Sequence, residues 1–148
     1  MPVEVNPILG YHGTDVQFPA FSDEKAQQRD EGWLGKGHYF STDQNIGRAN
    51  KYVAETELHV KNPFHLKLPS FSTDKRELIR ESLKLPLKAT SEEVTKKLKS
   101  LGYDGVVLDN SPTGYNAKEV LAFHGHQAKI KSWKDVPKSS FNAHLHKK

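Results

Sequence analysis

The alternation of apolar and polar positions divides the chain into short strands and short helices. Ile8-Leu9-Gly10-Tyr11-His12 reads as a strand running into a Gly13-Thr14 loop. Residues 22–31 are charged and helix-permissive, with Ser22 as a candidate N-cap. Glycines punctuate Trp33-Leu34-Gly35-Lys36-Gly37 as a loop, and His38-Tyr39-Phe40-Ser41 is a β-prone run after it. A helix is expected over residues 45–54, capped by Thr42 or Asp43, because Ile46, Ala49 and Val53 fall on one face at helical spacing. Residues 58–60 and 64–68 look like strands on either side of an Asn62-Pro63 turn. Residues 74–83 read as a helix that stops before Pro86. The next helix carries the strongest signals. Thr90 and Glu93 make a capping-box pattern, Val94, Leu98 and Leu101 form an apolar stripe, and Gly102 ends it. Three β-rich pieces follow, over residues 105–108, 119–123 and 128–133, with Pro112-Thr113-Gly114 breaking the first from the second. Helices grouped early and in the middle, with strands dominating the second half, make an α+β domain.

Composition narrows this further. The 148 residues suffice for one core and not for two, and the mean hydropathy of −0.72 demands a compact core under a very polar surface. No apolar run approaches the roughly 20 residues needed to cross a bilayer. The start, Met1-Pro2-Val3-Glu4, lacks the basic and apolar regions of a secretory signal. The sequence has no cysteine, which excludes disulfide scaffolds, thiolate metal sites and cysteine nucleophiles. A protein working in a cytoplasm, whether its own or that of a target cell after delivery, is the expectation. Charge is uneven: six lysines from Lys129 to Lys148 against Asp135 give that end +5, so the rest carries −1 of the total +4. One domain over residues 1–135 followed by a basic tail over residues 136–148 is therefore expected. Such a tail is either a solvated terminus or a holder of phosphates.

Three short patterns bear on chemistry. In Tyr11-His12-Gly13-Thr14, a strand-end histidine offers ring nitrogens to a sugar hydroxyl, and Gly13 lets backbone approach a ligand; the plain alternative is an ordinary surface or core histidine. Gly35-Lys36-Gly37-His38-Tyr39-Phe40-Ser41, followed by Ala49 and Tyr52, supplies two flat faces able to sandwich a planar ring; the plain alternative makes Tyr39 an inward strand residue and Tyr52 a helix-core residue. These glycines are not a phosphate loop, since no Gly-Lys-Ser/Thr ending follows. In Lys118-Glu119-Val120-Leu121-Ala122-Phe123 an acid opens an apolar strand, either as an edge charge or as a carboxylate that stabilises positive charge developing on a sugar carbon. His124-Gly125-His126 and His144-Leu145-His146 lack a third ligand, so no metal site is expected.

Taken together, the order and spacing of these patterns resemble the ADP-ribosyltransferase superfamily, in the His-Tyr-Glu branch shared by diphtheria-type toxins and poly(ADP-ribose) polymerases. The matching features are His12-Gly13, Gly35-Lys36-Gly37-His38-Tyr39-Phe40, Ala49 with Tyr52, and Glu119. Asn62-Pro63 and Leu101-Gly102-Tyr103-Asp104-Gly105-Val106-Val107 also look like the small phage- and toxin-associated transferases. The resemblance runs from about Tyr11 to Phe123. It implies a split two-sheet β core with an NAD+ cleft, flanked by short helices. It implies NAD+ as co-substrate and no metal. His12 would bond the adenosine-side ribose, and the Gly13 backbone, with Thr14 beside it, would hold the nicotinamide amide. Tyr39 and Tyr52 would flank the nicotinamide ring, and Ser41 or Asn50 would reach the amide. Glu119 would contact the nicotinamide ribose. Arg29 and Lys36 would approach the pyrophosphate from a covering stretch, residues 15–34. The position two before Glu119 is Ala117, where the arginine-modifying branch carries an acid, so arginine is not the expected acceptor. No segment resembles the large helical domain of true polymerases, which favours transfer of a single unit.

Three functions follow as expectations: transfer of ADP-ribose to a macromolecule by a toxin, effector or phage-type modifier; NAD+ hydrolysis; or a basic nucleic-acid-binding module. A protein acceptor is expected first and an RNA or DNA acceptor held by the basic end second. The chain is expected to be a monomer without a membrane partner.

Overall fold

The computed structural model describes residues 7–24, 33–46 and 50–136. Seven strands form one mixed sheet: β1 (Ile8–Thr14), β2 (His38–Ser41), β3 (Tyr52–Leu58), β4 (Pro63–Lys67), β5 (Gly105–Asp109), β6 (Lys118–Ala122) and β7 (Ala128–Asp135). Their spatial order is β4-β5-β6-β2-β1-β3-β7. Only β4 and β5 run parallel, and a parallel pair needs a crossover. Here the crossover contains α1 (Lys75–Ser82) and α2 (Ser91–Ser100). The fold is α+β, with α1 and α2 on one face of the sheet.

Local chemistry explains both helices. Asp74 caps α1 by accepting from the Arg76 N–H. The Thr90–Glu93 capping box forms in full: Thr90 Oγ1 accepts from the Glu93 N–H at 3.1 Å, and Glu93 Oε1 accepts from the Thr90 N–H at 3.3 Å. Alternation then sorts the sheet residues. Leu66, Val106, Leu108 and Leu121 point to the helix face and pack with Ile79, Leu83, Val94 and Leu98. Val107, Val120, Ala122 and Phe40 point the other way, with Leu58, Val60 and Ala128.

The helix expected over residues 45–54 does not form as such: Tyr52–Leu58 is a strand between β1 and β7. Ala54, Thr56 and Leu58 are each 0% exposed, the alternate positions of a buried strand. Ile46, the start of the supposed helical stripe, is exposed, so ladder partners on both sides overrode a short helical pattern. Residues 47–49 lie outside the described residues. Gly13 and Thr14, expected in a loop, belong to β1, because β3 pairs with it as far as Thr14↔Tyr52. Residues 58–60 are the end of β3 and its exit rather than a separate strand. The helix expected over residues 22–31 starts with Asp23 and Glu24; its remainder lies outside the described residues. Among the described residues, no helix is long and apolar enough to cross a membrane.

The two halves of the sheet are joined unevenly. β1 and β3 are registered over seven residues and β2 and β6 over four, yet β1 and β2 are registered at Tyr11↔Ser41 alone. The strands β4-β5-β6-β2 and β1-β3-β7 thus meet at a narrow seam.

Candidate active site

At the seam, continuing the Tyr11↔Ser41 register would place Gly13 opposite Tyr39. The strands part instead, and the Tyr39 carbonyl accepts from the ring Nδ1–H of His12 at 2.8 Å. A side chain therefore pairs a strand carbonyl where a backbone partner would otherwise be needed. Because a carbonyl only accepts, Nδ1 carries the proton. The His12 ring sits edge-on to Phe21 at 5.2 Å and tilted against Phe40 at 5.6 Å. It lies on the face opposite the helices.

Tyr39, Ser41 and Glu119 share the helix face. Ser41 faces Glu119 across β2 and β6, and Tyr39 faces Leu121 two pairs along. The Tyr39 hydroxyl donates to the Gly35 carbonyl at 2.5 Å and accepts from the Leu34 N–H at 2.9 Å. Burial pushes its pKa above the usual phenol value; the Leu34 N–H opposes this and the charge of Glu119 adds to it. Lys118, the residue before Glu119, is held at its backbone by Thr42, whose N–H donates to the Lys118 carbonyl at 2.9 Å and whose Oγ1 accepts from the Lys118 N–H at 2.8 Å. The Glu119 carboxylate Oε1 accepts from Lys75 Nζ at 2.8 Å. With side chains 27% and 32% exposed, this pair adds only about 0–1 kcal/mol to stability.

Beside Glu119 lie groups the sequence did not suggest. Tyr115, in the connection between β5 and β6, donates its hydroxyl to Asp43, and the Asp43 N–H donates to Ser41 Oγ at 3.0 Å. The bond to Asp43 raises the Tyr115 pKa, with partial burial adding. Arg80, 1% exposed, donates from Nε to the Ala89 carbonyl at 2.9 Å and from Nη1 to the carbonyls of Arg76 at 3.1 Å and Trp33 at 3.4 Å. It fastens α1 to the loop that precedes β2. None of these carried a motif; the sole local oddity is Lys75, a cation at the first position of a helix.

Other expected residues are placed differently. Thr14 Oγ1 closes a turn with Val16, donating to its carbonyl at 3.1 Å and accepting from its N–H at 3.3 Å. Tyr52 lies across from Thr14, on the face of His12, with its ring centroid 6.4 Å from that of Trp133. β1 stands between it and Tyr39, and the two side chains point to opposite faces, so the structure does not bring them together as a sandwich. The helical placement expected for Tyr52 is corrected by the β1–β3–β7 ladder. Arg29 and Ala49 lie outside the described residues. Asn50 Nδ2 donates to Asp15 Oδ1 at 3.5 Å.

Two grooves open elsewhere. One, of about 490 Å³, lies at the far end of β2 between Lys36, α2 and Phe123-His124; another, of about 370 Å³, lies on the opposite face beside His65 and Asn116. His12, Tyr39 and Glu119 line neither. Lys36, suggested for pyrophosphate, borders the first groove, its backbone held by Thr95 Oγ1 in bonds of 2.8 and 3.2 Å. Among the described residues, no group of three histidine, cysteine or acidic side chains is arranged to hold a metal ion.

The chain belongs to the ADP-ribosyltransferase family whose model is described as ADP-ribosyltransferase in polyvalent proteins, which matches residues 4–136. Domains of this class take NAD+ as co-substrate. No curated protein matches the chain.

Proposed function

We propose that the chain transfers a single ADP-ribose unit from NAD+ to a macromolecule, releasing nicotinamide, with His12, Tyr39 and Glu119 as the central residues. The observation that supports this most is that β6, β2 and β1 are consecutive in the sheet and carry one of these residues each, Tyr39 and Glu119 on the helix face and His12 on the other face beside the seam. They come from distant parts of the chain. The seam between β1 and β2 is the candidate NAD+ cleft and the counterpart of the split between two sheets.

NAD+ would pass through that seam, from the face of His12 to the face of Tyr39 and Glu119. The His12 ring meets the adenosine-side ribose, the Gly13 backbone and Ser41 meet the nicotinamide amide, and the Tyr39 ring backs the nicotinamide. Glu119 faces the nicotinamide-side ribose. The bond from the anomeric carbon to the pyridinium nitrogen breaks, and its electron pair goes to the departing nicotinamide. The positive charge left on the sugar is stabilised by the Glu119 carboxylate. The acceptor's lone pair then forms the new bond to the anomeric carbon, and its proton passes to Glu119 or to water. Positioning and charge stabilisation suffice; no metal is needed.

The acceptor we propose is a protein, modified in a cytoplasm where the chain acts as a toxin, effector or phage-type modifier. Incubating the chain with adenylate-labelled NAD+ and cell extract, then digesting separately with protease and nuclease, tests this. Label lost to protease supports the reading. Label lost to nuclease moves the acceptor to RNA or DNA, which the basic end would favour. Label found solely as free ADP-ribose makes the chain a glycohydrolase. Glu119→Gln should lower transfer about 100-fold or more with the fold retained; undiminished turnover would remove Glu119 from the mechanism.

A further inference from the structure

Lys75 stands where its own helix disfavours a cation. It is the first residue of α1, at the positive end of the helix dipole, and Arg76 follows it. The Asp74 carboxylate at the same end is turned to the Arg76 N–H. The anion that answers Lys75 comes from another element altogether, Glu119 on β6, at 2.8 Å from Nζ to Oε1. Both partners are carried on fixed frames. α1 is anchored by buried Ile79 and by Arg80, which bonds three backbone carbonyls, and the start of β6 is clamped by Thr42. A pair this exposed does little for stability, yet it fixes the rotation of a carboxylate at the end of a flexible side chain.

We propose that Lys75 is a positioning residue for ADP-ribose transfer, holding Oε1 of Glu119 so that Oε2 is presented to the nicotinamide-side ribose. This rests on the reading of Glu119 as the catalytic carboxylate. Lys75 itself touches no reacting atom. Misorientation of a reacting group by about an ångström lowers a rate by as much as roughly a hundredfold, and that sets the scale expected here.

The test is a kinetic cycle on the full chain, following nicotinamide release with wild type, K75M, K75R, E119Q and the K75M/E119Q double variant. K75M should lower kcat roughly ten- to hundredfold while KM for NAD+ stays within about twofold. K75R, which keeps a donor in reach, should recover most of the loss. In the double variant K75M should add nothing to E119Q, because Lys75 acts through Glu119. Wild-type kcat in K75M alongside an inactive E119Q overturns the positioning role and leaves the Glu119 reading standing. A K75M loss that multiplies with that of E119Q also overturns it, since Lys75 would then act elsewhere. Full turnover in E119Q overturns the reading of Glu119 beneath it. Thermal unfolding checks each variant, and should K75M not fold, K75Q is measured in its place.

Discussion

Tyr39 illustrates how one side chain serves both frame and site. Its ring packs against the core between sheet and helices, and its hydroxyl joins two backbone groups of the loop that precedes β2. Tyr39→Phe should cost about 1–3 kcal/mol in urea unfolding, because a buried carbonyl and N–H lose their partner. The pH dependence follows from the raised pKa. The folded state prefers the neutral phenol, so this contribution is intact below the unfolded value near 10 and declines as pH rises above it. In an ultraviolet titration the Tyr39 phenol should ionise above the ordinary phenol range; its ionisation within that range would contradict the buried placement. His12 plays a comparable double part, since its imidazole completes the hydrogen bonding of a strand carbonyl where two strands separate. Both residues were legible in the sequence, because each stands in a glycine-bearing pattern. Lys75, Tyr115 and Arg80 were not, because their meaning lies in partners up to 72 positions away.

Among the elements, β2 sets the alignment of the site. It is four residues long, and its pairing with β6 puts Ser41 opposite Glu119. Gly37 leads into it with φ +155°, and a Cβ there would lie 2.5 Å from the Ala122 carbonyl oxygen. That atom is backbone and cannot turn aside. Gly37→Ala should therefore push β2 off β6, lower thermal stability and lower NAD+ turnover together; loss of neither would show that the approach of the two strands has slack. The helices were easy to read for a local reason. A capping box and an apolar stripe lie within a dozen residues, and α2 forms as its pattern indicates. The first residues of β3, 52–54, were read as the end of a helix because Val53 falls at helical spacing from Ile46 and Ala49. What decides it is the presence of β1 and β7 on its two edges, which no window of sequence contains.

For the molecule as a whole, the front of the chain is tied to its far side through Asp23. Its carboxylate accepts from the His38 ring Nε2 at 2.8 Å and from the Gly125 N–H at 2.6 Å, 102 positions away, with His124 Nδ1 at 3.4 Å. Partial burial works to raise the Asp23 pKa, but the bonds from His38, Gly125 and His124 outweigh it and hold the carboxyl below its usual value. The linkage is thus present above the unfolded value near 3.8 and is lost as pH falls through the lower folded value. Hydrogen exchange of the Gly125 amide should accelerate on acidification below about pH 4 relative to neighbouring strands, and Asp23→Asn should bring that acceleration to neutral pH. An unchanged Gly125 amide in Asp23→Asn would show that the tie carries no load.

The sequence by itself indicated the fold class, the spans of α1 and α2 with the capping box of α2, the cores of six strands, and the family that the patterns around His12, Tyr39 and Glu119 resemble. These are matters of local spacing: where apolar residues recur, which residue can cap, where a glycine frees the backbone. Only the tertiary structure decided that β6, β2 and β1 lie side by side, that the sheet is one sheet with a seam, that Tyr52 belongs to a strand facing away from Tyr39, and that Glu119 is held by Lys75. The physical reason is the same each time. Strand neighbours and ion-pair partners are chosen by hydrogen bonds and burial between segments far apart in the chain, and no short stretch of residues records which distant segment will lie beside it.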